Sequence, residues 1–104
     1  MGLALFEKYS QTKEGTDYAP FIVNAPLLRC FEVISKWVKE NDYKDIEENK
    51  DYWEIYGVKD EFEITITVSQ EEKGSLVNIS VYGKTGKTRK KLKEIISQLI
   101  SYIQ

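Results

Sequence analysis

The stretch Glu61-Phe-Glu-Ile-Thr-Ile-Thr-Val-Ser-Gln-Glu-Glu-Lys-Gly-Ser-Leu-Val-Asn-Ile-Ser-Val-Tyr82 decides the fold. Phe62, Ile64, Ile66 and Val68 alternate with Glu61, Glu63, Thr65 and Thr67. After Glu71-Glu-Lys-Gly74 the alternation resumes, with Val77, Ile79 and Val81 against Leu76, Asn78, Ser80 and Tyr82. A period of two sends successive side chains to opposite faces, so each run reads as a strand with one buried and one wet face. The short link containing glycine closes them into an antiparallel hairpin. A sheet with one apolar face then requires a second layer to cover it.

That layer is legible on both sides of the hairpin. Upstream, Leu27, Phe31, Ile34 and Val38 recur along one helical face, widened by Cys30, Val33 and Trp37, while Arg29, Glu32, Lys36, Lys39 and Glu40 fill the remainder. Asn24 is the expected cap, Pro26 is tolerated in the first turn, and the helix should end near Asn41. Downstream, Leu92, Ile95, Ile96, Leu99, Tyr102 and Ile103 form one stripe of a closing helix. Trp53 and Ile55 alternate with Tyr52, Glu54 and Tyr56 as a further strand, with Gly57 to Asp60 expected to turn the chain. Tyr43 to Glu47 adds a short strand before the turn at Asn49-Lys-Asp51. Tyr18-Ala-Pro-Phe-Ile-Val23 reads as an edge strand, because Pro20 lacks the N–H that a central ladder uses. Residues 1–16 receive no assignment, since Leu3, Leu5, Phe6 and Tyr9 fit a short amphipathic turn and a loose strand equally. The expectation is one α+β domain over 1–104, a four- to five-stranded antiparallel sheet with two helices on one face, in the order β-α-β-β-β-β-α.

The 104 residues, 41% hydrophobic and 31% charged, suit such a single domain with a self-sufficient core. The chain has no histidine and one cysteine, Cys30. Within one chain this excludes Ser-His and Cys-His nucleophiles, histidine acid–base chemistry and histidine-ligated zinc. A free thiol suits a reducing compartment, so the expected location is cytoplasmic. No apolar run approaches the roughly 20 residues of a membrane span, and Met1-Gly-Leu-Ala-Leu-Phe6 is neither basic nor long enough for a signal peptide. Cys30 is read as a small buried hydrophobe.

Phe21-Ile-Val-Asn-Ala-Pro-Leu-Leu-Arg-Cys-Phe-Glu-Val-Ile34 is a strand leading through Ala-Pro into a helix that carries an aromatic. It resembles the opening of many helix-grip proteins of the Bet v 1 and START-like kind. The order β-α-β-β-β-β-α is similar to that of the TATA-binding-protein-like folds. The resemblance covers the chain from about Phe21 onward. It implies helices laid across an antiparallel sheet and, from the helix-grip side, an apolar ligand between the two layers. It assigns no site residue, and function does not follow from fold.

Charge is segregated. Residues 40–63 hold ten acids and three lysines, whereas Lys84, Lys87, Arg89, Lys90, Lys91 and Lys93 lie in a stretch without acids. That basic block sits where the last strand enters the last helix, and cations there oppose the helix dipole. A negative group would relieve them. Lys84, Thr85, Lys87, Thr88, Arg89, Lys90 and Lys91 are therefore the candidate site for phosphate, nucleic acid or another polyanion. The acidic 40–63 region of a second copy would serve the same end, giving a dimer by charge complementarity.

Two motifs fail on spacing. Gly83-Lys-Thr-Gly-Lys-Thr88 has two residues between its glycines where a Walker A loop needs four. Asp45, Glu47, Asn49 and Asp51 have the alternating spacing of a calcium loop, but Lys50 replaces its glycine and Tyr56 its bidentate glutamate. Neither a metal nor a cofactor is expected. Tyr52, Tyr56 and Tyr82 should share the sheet face opposite Trp53, Ile55 and Val77, as a candidate interaction face or as plain cover for the sheet. The functional expectation is a non-catalytic binding module, first for a protein partner or a second copy, second for a polyanion, third for a small apolar ligand.

Overall fold

The computed structural model describes residues 5–10 and 20–103. Its strands are β1 (Phe6–Ser10), β2 (Phe21–Val23), β3 (Lys44–Asn49), β4 (Glu54–Lys59), β5 (Phe62–Glu71) and β6 (Gly74–Lys84), and its helices are α1 (Leu27–Glu40) and α2 (Thr88–Ile103). The class is α+β, as the sequence leads one to expect, with one strand more at the N-terminus: β-β-α-β-β-β-β-α. All six strands form one antiparallel sheet in the order β1-β6-β5-β4-β3, and β2 pairs with β6 as well. Ser10 faces Ser80 and Phe21 faces Val77, so β1 and β2 lie one after the other along the same edge of β6. Tyr18 and Ala19, the first residues of the expected edge strand, lie outside the described residues, as does Leu3.

β5 and β6 form the hairpin read from the alternation, with Ile64 opposite Val81 and Ile66 opposite Ile79. Ile64, Ile66, Val68, Val77, Ile79 and Val81, with Ile55 of β4, are buried beneath Phe31, Ile34 and Val38 of α1 and Leu92, Ile95 and Leu99 of α2, and Phe62 is partly buried beside them. Burying one such side chain contributes about 1.5–3 kcal/mol, so this single layer dominates the stability. The centre of the space between helices and sheet is filled by these side chains, and a cleft of about 360 Å³ opens at its edge between β2 and the end of α2, lined by Phe21, Val23, Ile100 and Ile103 among others. Cys30 is buried in the core.

Three local expectations are corrected. Pro26, not Asn24, stands at the start of α1: its carbonyl accepts the first helical hydrogen bond from Cys30 at 2.9 Å, and no side chain caps the end. Tyr52 and Trp53 belong to the turn before β4 rather than to the strand, because Trp53 has a left-handed backbone (φ 51°) that breaks the alternation. Trp53 still reaches the core, edge-on to Phe31 with ring centroids 5.4 Å apart. The turn after β4 is Asp60-Glu61, both left-handed, closed by the pair Lys59–Phe62. That is the backbone twist favoured in two-residue hairpins. Gly57 instead lies within β4, where a Cβ would come within 3.2 Å of the Cβ of Tyr43. No described helix is long and apolar enough to cross a membrane.

Candidate functional site

Because both helices pack on one side, the other side of the sheet is left without a covering layer among the described residues. Residues directly opposite in an antiparallel ladder share a face. The open face therefore carries Phe6 and Lys8 of β1, Ile22 of β2, Glu54, Tyr56 and Val58 of β4, Glu63, Thr65 and Thr67 of β5, and Leu76, Asn78, Ser80 and Tyr82 of β6. Phe6 and Tyr82 stack with centroids 5.9 Å apart yet remain 50% and 42% exposed. Ile22, opposite Leu76 at the far end of that edge, is 54% exposed.

The acids of the face gather towards β3. Glu47 lies opposite Tyr56, Glu54 opposite Thr67, and Glu63 opposite Tyr82. The Tyr56 hydroxyl donates to Glu63 at 2.5 Å. That hydrogen bond, with partial burial and the negative charges of Glu63, Glu47 and Asp45, pushes the phenol up to about 12. A groove of about 720 Å³ runs beside it, lined by Glu47, Asn49, Asp51, Glu54 and Tyr56 among others. Of the three expected tyrosines, Tyr56 and Tyr82 share this face. Tyr52 stands apart in the β3–β4 turn and is 72% exposed.

The basic block is centred on an acid that the sequence did not single out. Glu7 of β1 accepts a hydrogen bond from the backbone N–H of Gly86 at 2.7 Å and from the Thr88 hydroxyl at 2.5 Å. The Thr88 hydroxyl above all, then the Gly86 N–H, hold the Glu7 carboxyl below the ordinary carboxylate value. The negative group that the helix start calls for is thus provided in part from within the chain. Thr88 is fully buried. Lys84 pairs with Glu61 at 3.3 Å, and the Lys91 ammonium lies 5.6 Å from the centre of the Phe62 ring. The Thr85 N–H donates to the Leu5 carbonyl at 3.1 Å. Lys87, Arg89 and Lys90 are exposed at this corner. Nothing local marks Glu7 in the sequence; its role depends on a contact between opposite ends of the chain.

Elsewhere, Glu48 on the helix side of β3 accepts from the buried Ser35 hydroxyl of α1 and lies 3.5 Å from the Lys39 ammonium. The Ser35 bond first, helped by Lys39, holds its carboxyl below the ordinary value. Among the described residues, no group of three or more histidine, cysteine, aspartate or glutamate side chains is placed to hold a metal ion. Comparison of the chain with protein-family models, curated proteins and solved structures gives no match.

Proposed function

We propose that the chain is a non-catalytic interaction module that binds a protein partner through the open face of its sheet. The observation that carries this reading is the exposed Phe6–Tyr82 stack, with Tyr56 across the sheet and a second apolar pair, Ile22 and Leu76, at the far end of the edge beyond Ser80 and Asn78. Clustered aromatic and aliphatic side chains with a polar surround are what protein interfaces use, because they give contact area at small conformational cost. The layering of two helices on one antiparallel sheet also accords with a helix-grip or TATA-binding-protein-like relationship. The reading of an apolar ligand between the layers is confined to the edge cleft of Phe21, Val23, Ile100 and Ile103, since the centre of that space is filled by side chains.

A photo-cross-linking phenylalanine analogue placed at Tyr82, at Tyr56 and, as a control, at the exposed Leu28 of α1 tests the proposal in cells. Discrete adducts from the two sheet positions and none from Leu28 are expected. Absence of adducts at the sheet positions, or equal yields at all three, would overturn it.

Polyanion binding is the second reading, favoured by the exposed Lys87, Arg89 and Lys90. It would rest on side chains more than on the helix start, where Glu7 already takes the Gly86 and Thr88 donors.

A further inference from the structure

We infer that the occupant of the open face is a second copy of this chain, whose basic corner at the start of α2 seats on the acidic part of that face. The inference rests on the open-face reading above and names its partner. The acids Glu47, Glu54 and Glu63 stand on the solvent side of three neighbouring strands, around Tyr56. The carboxylates outnumber Lys50 in the groove beside Glu47 and Glu54, so the surface suits a cationic partner with slender side chains.

The same molecule presents such a surface. Lys87 and Lys90 are exposed at the start of α2, whose first turn holds no acid. Within one chain the basic corner already meets the acidic segment once, in the Lys84–Glu61 pair at 3.3 Å. Association repeats that chemistry between chains. The net charge of −2 leaves little overall repulsion between copies, so local complementarity sets the encounter. With a two-fold axis the corner of each copy meets the face of the other, so two reciprocal contacts close the assembly as a dimer.

Sedimentation equilibrium over a range of protein and salt concentrations tests this. A dimer is expected at about 50 mM salt, with a dissociation constant that rises roughly tenfold or more towards 0.5 M, because exposed charges are screened there. Two surface variants sharpen the test. K87E/K90E sets two carboxylates of the corner against the acidic face, E47K/E54K sets two ammonium groups of the face against the basic corner, and each alone should be monomeric. Mixed in equal amounts they should form a heterodimer, since both reciprocal contacts then join opposite charges.

Wild-type protein that stays monomeric at low salt overturns the inference. So does a dimer that both variants retain, or a mixture of the variants that fails to associate. A monomer that still yields adducts with other proteins from Tyr82 would defeat self-association alone and leave the interaction module standing. A monomer that yields none would defeat both.

Discussion

The Glu7 carboxylate accepts the Thr88 hydroxyl at 2.5 Å and thereby joins the first described strand to the first residue of the last helix. It does so at the point where Lys87, Arg89, Lys90 and Lys91 oppose the helix dipole. One acid therefore performs three tasks: it satisfies the Gly86 N–H, orients Thr88 and neutralises part of a cationic corner. It also anchors β1 to the body of the fold.

Removing that acid should make the protein less stable in a pH-dependent way. Glu7 is held below its ordinary value of 4.5, so the folded chain binds fewer protons at this group than the unfolded chain does. Its stabilisation is complete above that value and drains away as pH falls through the lower native one. Denaturant midpoints of wild type and Glu7→Gln should differ at neutral pH and converge as the solution is acidified through the lowered native value. Glu48, lowered by Ser35 and Lys39, adds an acid-labile contribution of the same sign, which remains in the variant. A gap between wild type and Glu7→Gln that is constant with pH would contradict the assigned role.

Gly74→Ala should be strongly destabilising, and Gly83→Ala less so. Gly74 has φ 142°, and a Cβ there would lie 2.1 Å from the Val23 carbonyl oxygen, a backbone atom that cannot move without breaking the β2–β6 pairing. The cost combines a forbidden backbone region with a hard clash, at least about 1–3 kcal/mol. At Gly83 the Cβ would come within 2.4 Å of the Phe62 ring, but that ring belongs to a side chain able to shift, and the backbone is ordinary. Chemical denaturation of the two variants checks the order.

Tyr56 should lose its proton late, near 12 rather than its ordinary 10, because ionising it breaks the hydrogen bond to Glu63 and places a second negative charge beside that carboxylate. Glu63→Gln should bring the value back towards 10. Carbon-13 NMR of labelled tyrosine ring carbons follows the titration directly, and Tyr43, raised to about 12 mainly by burial, serves as an internal reference that the substitution leaves in place. A raised native value means that the associated stability is complete below pH 10 and is lost as pH climbs through the native value.

The hairpin of β5 and β6 and the apolar faces of both helices were legible because each is a periodic pattern whose residues all serve the same core. The turns were read less well. Gly57 looks like a turn residue by composition, yet it lies in β4 to admit Tyr43, while Asp60 and Glu61 take the left-handed positions without any glycine. β1 was not legible, because its five residues gain their meaning only from Thr85, Gly86, Thr88 and the free edge of β6. For the open face, alternation identified Tyr56 and Tyr82. It could not supply Phe6 or Ile22, whose facing depends on pairing with a strand far along the chain.

Phe31→Ala should be among the most damaging single substitutions. The ring is 1% exposed, lies between α1 and the sheet, and meets the Trp53 ring edge-on at 5.4 Å. Truncation removes the buried apolar area, leaves a cavity that its close-packed neighbours fill only in part, and frees Trp53 on the side where it turns inward. Losses of about 3–5 kcal/mol accompany such changes. Because Trp53 reports on the same contact, the folded-state fluorescence should also move towards that of a more solvated indole, whereas Leu28→Ala on the exposed face of the same helix should alter stability by no more than about 0.5 kcal/mol. Urea unfolding followed by circular dichroism and fluorescence measures both effects. A Phe31→Ala protein as stable as the Leu28→Ala control would show that α1 does not pack on the sheet through this residue.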